Sequence, residues 1–205
     1  IGNPTIKTEK SNFFKISFML SRPVIKINLS QSFSYINDYI MGITDTLIPA
    51  MNFYAKGIRV YENIPAAKIY SMDLQLFYNP IKSLSFFLLS KFTLGKINSS
   101  EALPLIPPLK NIVAVQYRKE RLSLQTEYES SLAQYRINSD YGESITPAYS
   151  LFNVKSSYTF SIFKTSLDIS LGITNLFNKA YYEHLDWGRT NRPGRSVEAY
   201  INYSF

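Results

Sequence analysis

An alternation of apolar and polar residues runs through most of this chain and is the strongest constraint on its fold. It is clearest in residues 25–39. One side of that stretch carries Ile25, Ile27, Leu29, Phe33, Tyr35 and Tyr39, and the other carries Lys26, Asn28, Ser30, Ser32, Ser34 and Asp38. Because successive side chains of a strand point to opposite faces, a period of two predicts β-strands with one apolar and one polar face. Helical periodicity is absent, so the chain is predicted to be all-β.

The composition agrees with strands and excludes several other classes. Aromatic residues make up 15% of the 205 residues, with 16 Tyr and 14 Phe, a mixture that favours strands. No stretch approaches the roughly 18 consecutive apolar residues of a membrane helix, which excludes a helical transporter. The absence of cysteine excludes disulfides and thiolate metal sites. The net charge is +7, but basic residues occur singly or in pairs, so no nucleic-acid partner is expected.

Two architectures give such repeats: a soluble sandwich with an apolar inner face, and a membrane barrel with an apolar outer face and a polar lumen. Strand length distinguishes them. Several alternating runs extend over twelve or more residues, whereas strands of soluble sheets usually have about 5 or 6. Long strands suit a tilted crossing of a bilayer. We therefore predict an antiparallel up-and-down transmembrane β-barrel.

The connectors between the alternating runs are short and long in turn, as in bacterial barrels, where short turns lie at the periplasmic rim and long loops at the extracellular rim. The short ones are predicted at 21–23, 79–82, 118–121 and 162–164, and the long ones at 41–51, 95–107, 137–147 and 185–194. This assignment requires residues 61–70 to lie within one long strand, with Pro65 as a kink or bulge. The prediction is then about nine strands, with the C-terminus at the periplasmic rim.

Nine strands leave a membrane barrel open, with unpaired backbone groups exposed to hydrocarbon. The chain also begins with "IGNPTIKTEK", without Met or a signal peptide. Residues 1–205 are therefore expected to be the C-terminal portion of a larger barrel, with the earlier strands outside this chain.

Two motifs near the C-terminus resemble a known family. "GITNLFNKAYYEHL" (172–185) followed by "RPGRSVEAYINYSF" (192–205) resembles the C-terminal signature of TonB-dependent outer-membrane receptors. "GNPTIKTEKSNFFKIS" (2–17) is similar to a mid-barrel segment of that family, with Thr8 in place of a proline, and "LPLIPPLK" (103–110) to the start of a later strand. The resemblance covers essentially the whole chain.

The resemblance implies a barrel of about 22 strands around an N-terminal plug, in the outer membrane of a Gram-negative bacterium. It implies active import of a chelated metal, an iron-siderophore or similar complex, energised by the TonB complex through the plug, which is absent from this chain. Cobalamin, copper and glycan receptors belong to the same family, and a passive porin would show the same alternation. Outer-membrane lipid, lipopolysaccharide and the barrel assembly machinery are the other expected partners.

The resemblance also gives the last strand a role. Its terminal aromatic and the alternate apolar residues before it look like the signal read by the assembly machinery, and they form the lipid-facing set. These residues are Val197, Ala199, Ile201, Tyr203 and Phe205. The alternative is an ordinary edge strand that ends in phenylalanine.

The loop "EHLDWGRTNRPGR" (183–195) gathers the residues best suited to contact an anionic metal chelate through cations and an aromatic ring. They are His184, Trp187, Arg189, Arg192 and Arg195. The alternative is an interfacial anchor at Trp187, with arginines paired to lipopolysaccharide phosphates or lumen carboxylates. His184 is the only histidine, so no metal site and no cofactor are expected.

Charged residues of the predicted lumen face are expected to form a charge ladder that stiffens the wall or contacts the plug. They are Glu127, Glu129, Lys155, Asp168 and Glu198. No combination of nucleophile, base and orienting group occurs in the sequence, because the lone histidine would have to serve it. The protein is therefore not expected to be an enzyme, and a barrel hydrolase is disfavoured.

Overall fold

The computed structural model describes residues 3–45, 58–97, 101–162 and 165–204, without the side chains of Ile162 and Trp187. These residues form one antiparallel sheet in which nine strands lie side by side in chain order. The strands are β1 (Lys10–Ser21), β2 (Ile25–Asp45), β3 (Ile58–Ile81), β4 (Leu84–Lys96), β5 (Lys110–Lys119), β6 (Leu122–Ser131), β7 (Tyr149–Ile162), β8 (Thr165–Thr174) and β9 (Ser196–Ser204). A short 3-10 helix, Trp187–Arg189, lies between β8 and β9. The described segments contain no helix that is long and apolar enough to cross a bilayer.

The strand register places the apolar side chains on one face of the sheet and most polar side chains on the other. One row on the apolar face runs through Leu88, Val113, Tyr128 and Phe152, which are direct neighbours on β4 to β7. On the polar face, Glu127 lies opposite Asn153. The apolar face is uncovered: 62% of Phe14 on β1 and 73% of Ile201 on β9 are exposed. A soluble sandwich would bury this face, so the exposed apolar belt matches the outer wall of a membrane barrel.

The predicted alternation of connectors is confirmed. Short connectors of two or three residues join β1 to β2, β3 to β4, β5 to β6 and β7 to β8, and the other four connectors are all longer than ten residues. All the long connectors therefore leave the same rim of the sheet. Ser204, near the end of β9, lies opposite Ser166 at the start of β8, which follows a short connector. The C-terminus lies at the short-turn rim, as predicted.

Several predicted boundaries were wrong, by up to ten residues. Strand β2 continues to Asp45, so residues 41–45 are strand and not loop, while 46–57 lie outside the described residues. Strand β3 continues to Ile81, so residues 79–81 of the predicted short connector are also strand. The last long connector begins at Asn175 instead of residue 185, because Asn175 adopts a left-handed backbone with φ 50 that ends the strand.

Pro65 lies inside β3, and the single long strand predicted there is confirmed. Of the predicted kink or bulge, a bulge is absent, because the β2–β3 register is the same on both sides of Pro65. The distortion falls on the opposite residue, Asp38, whose φ is 53. Its carbonyl accepts a hydrogen bond of 2.5 Å from the Asn63 side-chain amide. The β3–β4 pairing begins only at Lys68, so Pro65 occupies an edge position, where a missing N–H is tolerated.

Most buried residues lie toward the long-loop rim, at that end of a strand or in a long connector. Those in the connectors include Leu103, Gln134, Asn138, Thr146 and Asn175, all at most 7% exposed. The best-packed part of the described chain is therefore the long-loop rim, which makes this rim the place to look for a functional site.

Candidate functional site

A buried carboxylate at the long-loop rim joins three connectors. The Oε1 atom of Glu143 accepts a hydrogen bond of 2.6 Å from the Leu105 backbone N–H and lies 3.2 Å from Nε2 of His184. Its Oε2 atom accepts a hydrogen bond of 2.8 Å from the Asn138 N–H. Leu105 belongs to connector 97–109, Glu143 to connector 132–148 and His184 to connector 175–195. One side chain thus fixes the three loops relative to each other.

The environment of Glu143 keeps it ionised. Burial raises the pKa of its carboxyl group, but hydrogen bonds from His184 and from the Asn138 and Leu105 N–H groups outweigh burial and lower it below its ordinary value. The His184 side chain is only 3% exposed. Its Nδ1 atom lies 2.9 Å from Oγ1 of Thr146. Both ring nitrogens of His184 are thus occupied by connector 132–148.

Side-chain amides add further contacts between connectors 97–109 and 132–148. Nδ2 of Asn138 donates to the Glu101 carboxylate at 3.0 Å and to the Ala102 carbonyl at 3.1 Å. Nε2 of Gln134 donates to the Ile106 carbonyl at 2.6 Å. Because Gln134 and Asn138 are buried and fully bonded, they hold connector 132–148 against connector 97–109.

Strand β3 is also tied to this cluster. The Arg59 guanidinium donates a hydrogen bond of 2.7 Å to the Tyr141 carbonyl and lies 4.0 Å from the centre of its ring. This combined hydrogen bond and cation–π contact fixes the tip of connector 132–148 to the upper end of β3.

A second polar network anchors the last long connector to the wall. Nζ of Lys110 on β5 lies 2.8 Å from Glu129 on β6 and 2.9 Å from Glu183 in the last connector. The Tyr149 hydroxyl on β7 lies 3.0 Å from an oxygen of each carboxylate, and it can donate to one of them at a time. The last connector is therefore attached directly to β5 and β7, and to β6 through Lys110 and Tyr149.

Arg192 is held within its own loop. It makes two parallel hydrogen bonds of 2.8 and 2.9 Å to Asp186, and it lies 3.2 Å from Glu183. The bonds from Arg192 lower the pKa of Asp186 to about 2 against the opposing effect of burial, and the Glu183 backbone N–H contributes in the same direction as Arg192. Such bidentate pairs have a defined geometry. Arg192 therefore shapes the loop.

The Asn-Leu-Phe-Asn motif closes the base of this loop. Nδ2 of Asn175 donates to the carbonyl groups of Lys179 and Pro193, at 2.9 and 3.5 Å, and its Oδ1 atom accepts from the Lys179 N–H at 2.8 Å. The Asn175 N–H in turn donates to Oδ1 of Asn153 on β7 at 2.9 Å. Asn175 thus holds both ends of the loop next to the wall.

The second asparagine of the motif explains the Pro-Gly-Arg sequence. Oδ1 of Asn178, a residue with φ 52, accepts a hydrogen bond of 2.9 Å from the Arg195 N–H. Its carboxamide approaches Gly194 so closely that a Cβ atom there would collide with it. Asn175, Asn178 and Gly194 form a clip at the base of the loop. The sequence indicated these residues only as part of the family motifs, although the two asparagines are of a type enriched in left-handed turns.

The structure separates the five predicted ligand-contacting residues into groups. His184 is buried between Thr146 and Glu143, and Arg192 is paired with Asp186. Arg189 and Arg195 are exposed, and the Trp187 side chain lies outside the described residues. The role of the five in ligand binding stays a prediction. Within the described residues, no three His, Cys, Asp or Glu side chains are grouped to hold a metal.

The five residues of the predicted charge ladder share the polar face, and four of them are bonded to neighbours outside the ladder. Glu129 pairs with Lys110, Glu127 accepts from Asn153, Asp168 accepts from Thr159 and Glu198 accepts from Tyr200. Glu127, Lys155 and Glu198 line a cavity of about 170 Å³ on this face. Their role in stiffening the wall or contacting a plug stays a prediction.

The predicted assembly signal lies on the apolar face of β9. Val197, Ala199, Ile201 and Tyr203 pair with Ile173, Leu171, Ile169 and Leu167 of β8. The outer edge of β9 has no neighbour among the described strands. Phe205 lies outside the described residues, and recognition by an assembly machinery stays a prediction.

The exposed apolar belt, the polar opposite face and the interlocked loops at one rim define the wall of an outer-membrane β-barrel. The family model "TonB dependent receptor-like, beta-barrel" matches residues 1–176, and the chain belongs to this family. The protein is therefore located in the outer membrane of a Gram-negative bacterium. This family also accounts for the alternation of short and long connectors.

Solved structures show the same fold. The copper transporter OprC superimposes with a TM-score of 0.85 at 22% identity, over 98% of this chain and 32% of that one. The FrpB iron transporter from Neisseria meningitidis superimposes with a TM-score of 0.73 at 15% identity, over 100% of this chain and 32% of that one. BauA, the ferric preacinetobactin receptor from Acinetobacter baumannii, superimposes with a TM-score of 0.72 at 14% identity, over 96% of this chain and 30% of that one. The chain thus spans about a third of these proteins. No curated protein sequence matches it.

Proposed function

We propose that this chain is the C-terminal part of the barrel of an active importer for a chelated metal, most simply an iron-siderophore or similar complex. A plug and the earlier strands would precede Ile1, and the plug would receive energy from the TonB complex. The family assignment carries this proposal. It is supported by structural neighbours described as copper and iron transporters and as a ferric preacinetobactin receptor.

The arrangement of the loops supports a binding function at the extracellular rim. A receptor needs side chains held in place by a supporting network, and the Glu143 and Lys110 networks supply one. In this arrangement His184 and Arg192 position the last loop. Arg189 and Arg195, which are exposed on the same loop, would then contact the anionic ligand, together with Trp187.

Energy dependence separates an active receptor from a passive porin. The test measures accumulation of iron and of copper in cells that carry the full-length receptor, with and without a collapsed proton-motive force. Active import predicts that accumulation stops when the energy supply is collapsed. Accumulation that continues would identify a porin instead.

The ligand site is tested separately in the full-length receptor. Replacing Arg189, Arg195 and Trp187 together by alanine should weaken binding of the metal chelate by about 1 to 3 kcal/mol for each charge-assisted bond lost. The matched control is the double variant Lys82→Ala and Lys119→Ala, which removes two charges at the opposite rim. Equal affinity of the triple variant and the unmutated receptor would rule out this loop as the binding site.

A further inference from the structure

The lumen face of the sheet is divided into an apolar part and a polar part. One row of the register crosses from the first to the second on β3 to β7, through Phe77, Phe87, Ala114, Glu127 and Asn153. The ring centres of Phe77 and Phe87 lie 4.8 Å apart. The next row toward the long-loop rim adds Leu89 and Ile112, which pair directly. The lumen side of β3 to β5 thus carries an apolar patch, although the lumen face of a barrel wall is ordinarily polar.

The polar part contains a groove made of two adjoining cavities. The first has a volume of about 170 Å³, and its lining includes Glu127, Lys155 and Glu198. The second has a volume of about 230 Å³, and its lining includes Arg118 and Lys155. Gln125 and Lys155 line both cavities, so the groove is continuous. Arg118 is the residue before the end of β5, and the groove therefore reaches the short-turn rim.

The charge of the groove changes along its length. Two carboxylates and one ammonium group line the first cavity. In the second cavity Arg118 and Lys155 are the charged groups, and the other described lining residues are glutamines and serines. The ion pairs within the described part of the chain include neither cation. The electrostatic potential therefore becomes more positive toward the short-turn rim, and this attracts an anion in that direction.

The neutral side chains of the second cavity offer further partners to an anion. Ser157 of β7 and Ser170 of β8 lie directly opposite each other. Nε2 of Gln116 donates a hydrogen bond of 3.0 Å to Oγ of Ser123, and a hydroxyl that accepts one bond can still donate another. Cations, hydroxyl groups and amides thus converge on one groove.

We propose that the imported solute, a hydrophilic anionic metal chelate, moves along this groove on β5 to β8 toward the periplasm. This inference rests on the proposed function. An anion that moved over the aromatic patch would lose hydrating water without gaining partners, whereas the groove replaces that water with hydrogen-bond donors and cations. Lys155 is then a contact along the path, and Arg118 is a contact at its periplasmic end.

The first test changes the charge of the groove in cells that carry the full-length receptor, with a radiolabelled ferric tris-catecholate chelate as the anionic probe. The double variant Arg118→Glu and Lys155→Glu should lower the rate of energised uptake about tenfold. Its affinity for the probe at the surface of energy-depleted cells should stay unchanged. The matched control is Lys15→Glu and Lys26→Glu, two exposed lysines on the lumen face of β1 and β2. The control should take up the probe normally.

The second test narrows the groove without changing its charge. Ser157→Phe together with Ser170→Phe should also lower uptake about tenfold and leave surface binding intact, because the rings fill the second cavity. The matched control is Ser17→Phe with Ser30→Phe, another directly opposed serine pair on the lumen face. Heat-modifiable mobility on gels shows that each barrel is folded, and sensitivity to a large glycopeptide antibiotic shows whether the barrel leaks.

The outcomes separate this path from the proposed function. Normal uptake by either groove variant, or an equal loss in its control, would overturn the path. Weaker surface binding or a new antibiotic sensitivity in the groove variants would also overturn it, because the groove would then serve ligand capture or closure of the barrel. Uptake by the unmutated receptor that is absent or independent of the energy supply would instead reject the proposed function, and the path with it.

Discussion

Oε1 of Glu143 lies 3.2 Å from Nε2 of His184, and this contact between residues 41 positions apart joins two long connectors. Both side chains are almost completely buried. The same carboxylate accepts two backbone N–H groups. A buried carboxylate with three partners is costly to disturb, because removing its charge leaves donors unsatisfied.

We predict that Glu143→Gln loosens all three connectors without affecting the strands. The lost charge-assisted bonds should cost the loop cluster roughly 1 to 3 kcal/mol. Limited proteolysis of the full-length receptor should cleave connector 132–148 faster in the variant. Asp140→Asn, an exposed carboxylate in the same connector, is the control. Equal cleavage rates for both variants would show that Glu143 does not hold the loops.

The depressed pKa values of Asp186 and Glu143 predict loosening of the loops in acid. A carboxyl group with a lowered folded-state pKa stabilises the fold above its unfolded value and loses that contribution as the pH falls through the folded value. For Asp186 the window runs from 3.8 down to about 2. Hydrogen exchange of connector 175–195, corrected for intrinsic rates, should be slow at pH 5 and fast near pH 2. In Asp186→Asn it should already be fast at pH 5.

Gly194→Ala should destabilise the clip at the base of the last loop. The added Cβ meets the Asn178 carboxamide, whereas at Gly172 the nearest atom to an added Cβ, the Val154 carbonyl oxygen, is 4.0 Å away. We expect a loss of roughly 1 to 3 kcal/mol for Gly194→Ala and less than about 0.5 kcal/mol for Gly172→Ala. Urea unfolding followed by gel mobility measures both. Similar midpoints for the two variants would contradict the clip.

The topology can be tested with single cysteines, since the chain has none. Ser139→Cys lies in a long connector, and Lys82→Cys lies in a short turn at the other rim; both positions are exposed. An impermeant thiol reagent should label residue 139 on intact cells and residue 82 only after permeabilisation. The reverse pattern would invert the orientation of the sheet.

Deletion of Phe205 should reduce the amount of heat-modifiable barrel in the outer membrane while synthesis stays normal, because it removes the aromatic terminus expected to be recognised during assembly. The control is Asn202→Ala, on the polar face of β9. Quantitative blots of outer-membrane fractions measure the effect. Normal amounts of the deletion variant would leave β9 as an ordinary edge strand.

The sheet was predictable because each strand repeats the same alternation of apolar and polar residues. The register then follows from keeping the apolar residues of neighbouring strands on one face. The loop contacts were not predictable, because no period relates Glu143 to His184 or Lys110 to Glu183. Asn175 shows an intermediate case. The Asn-Leu-Phe-Asn motif was recognised, yet the strand end was placed ten residues too late, because alternation carries no information about a left-handed residue.

The Tyr149 hydroxyl has two acceptors and one proton, and this gives the anchor of the last loop an unusual property. If Glu183 moved away from the wall, Lys110 and Tyr149 would still be satisfied by Glu129, and Glu183 would take Arg192 with it as its counter-ion. Parting at this point breaks hydrogen bonds but strands no isolated charge. After such a separation the wall keeps the Lys110–Glu129 pair, and on the loop Arg192 is shared by Asp186 and Glu183, so every charged group of this joint retains a partner.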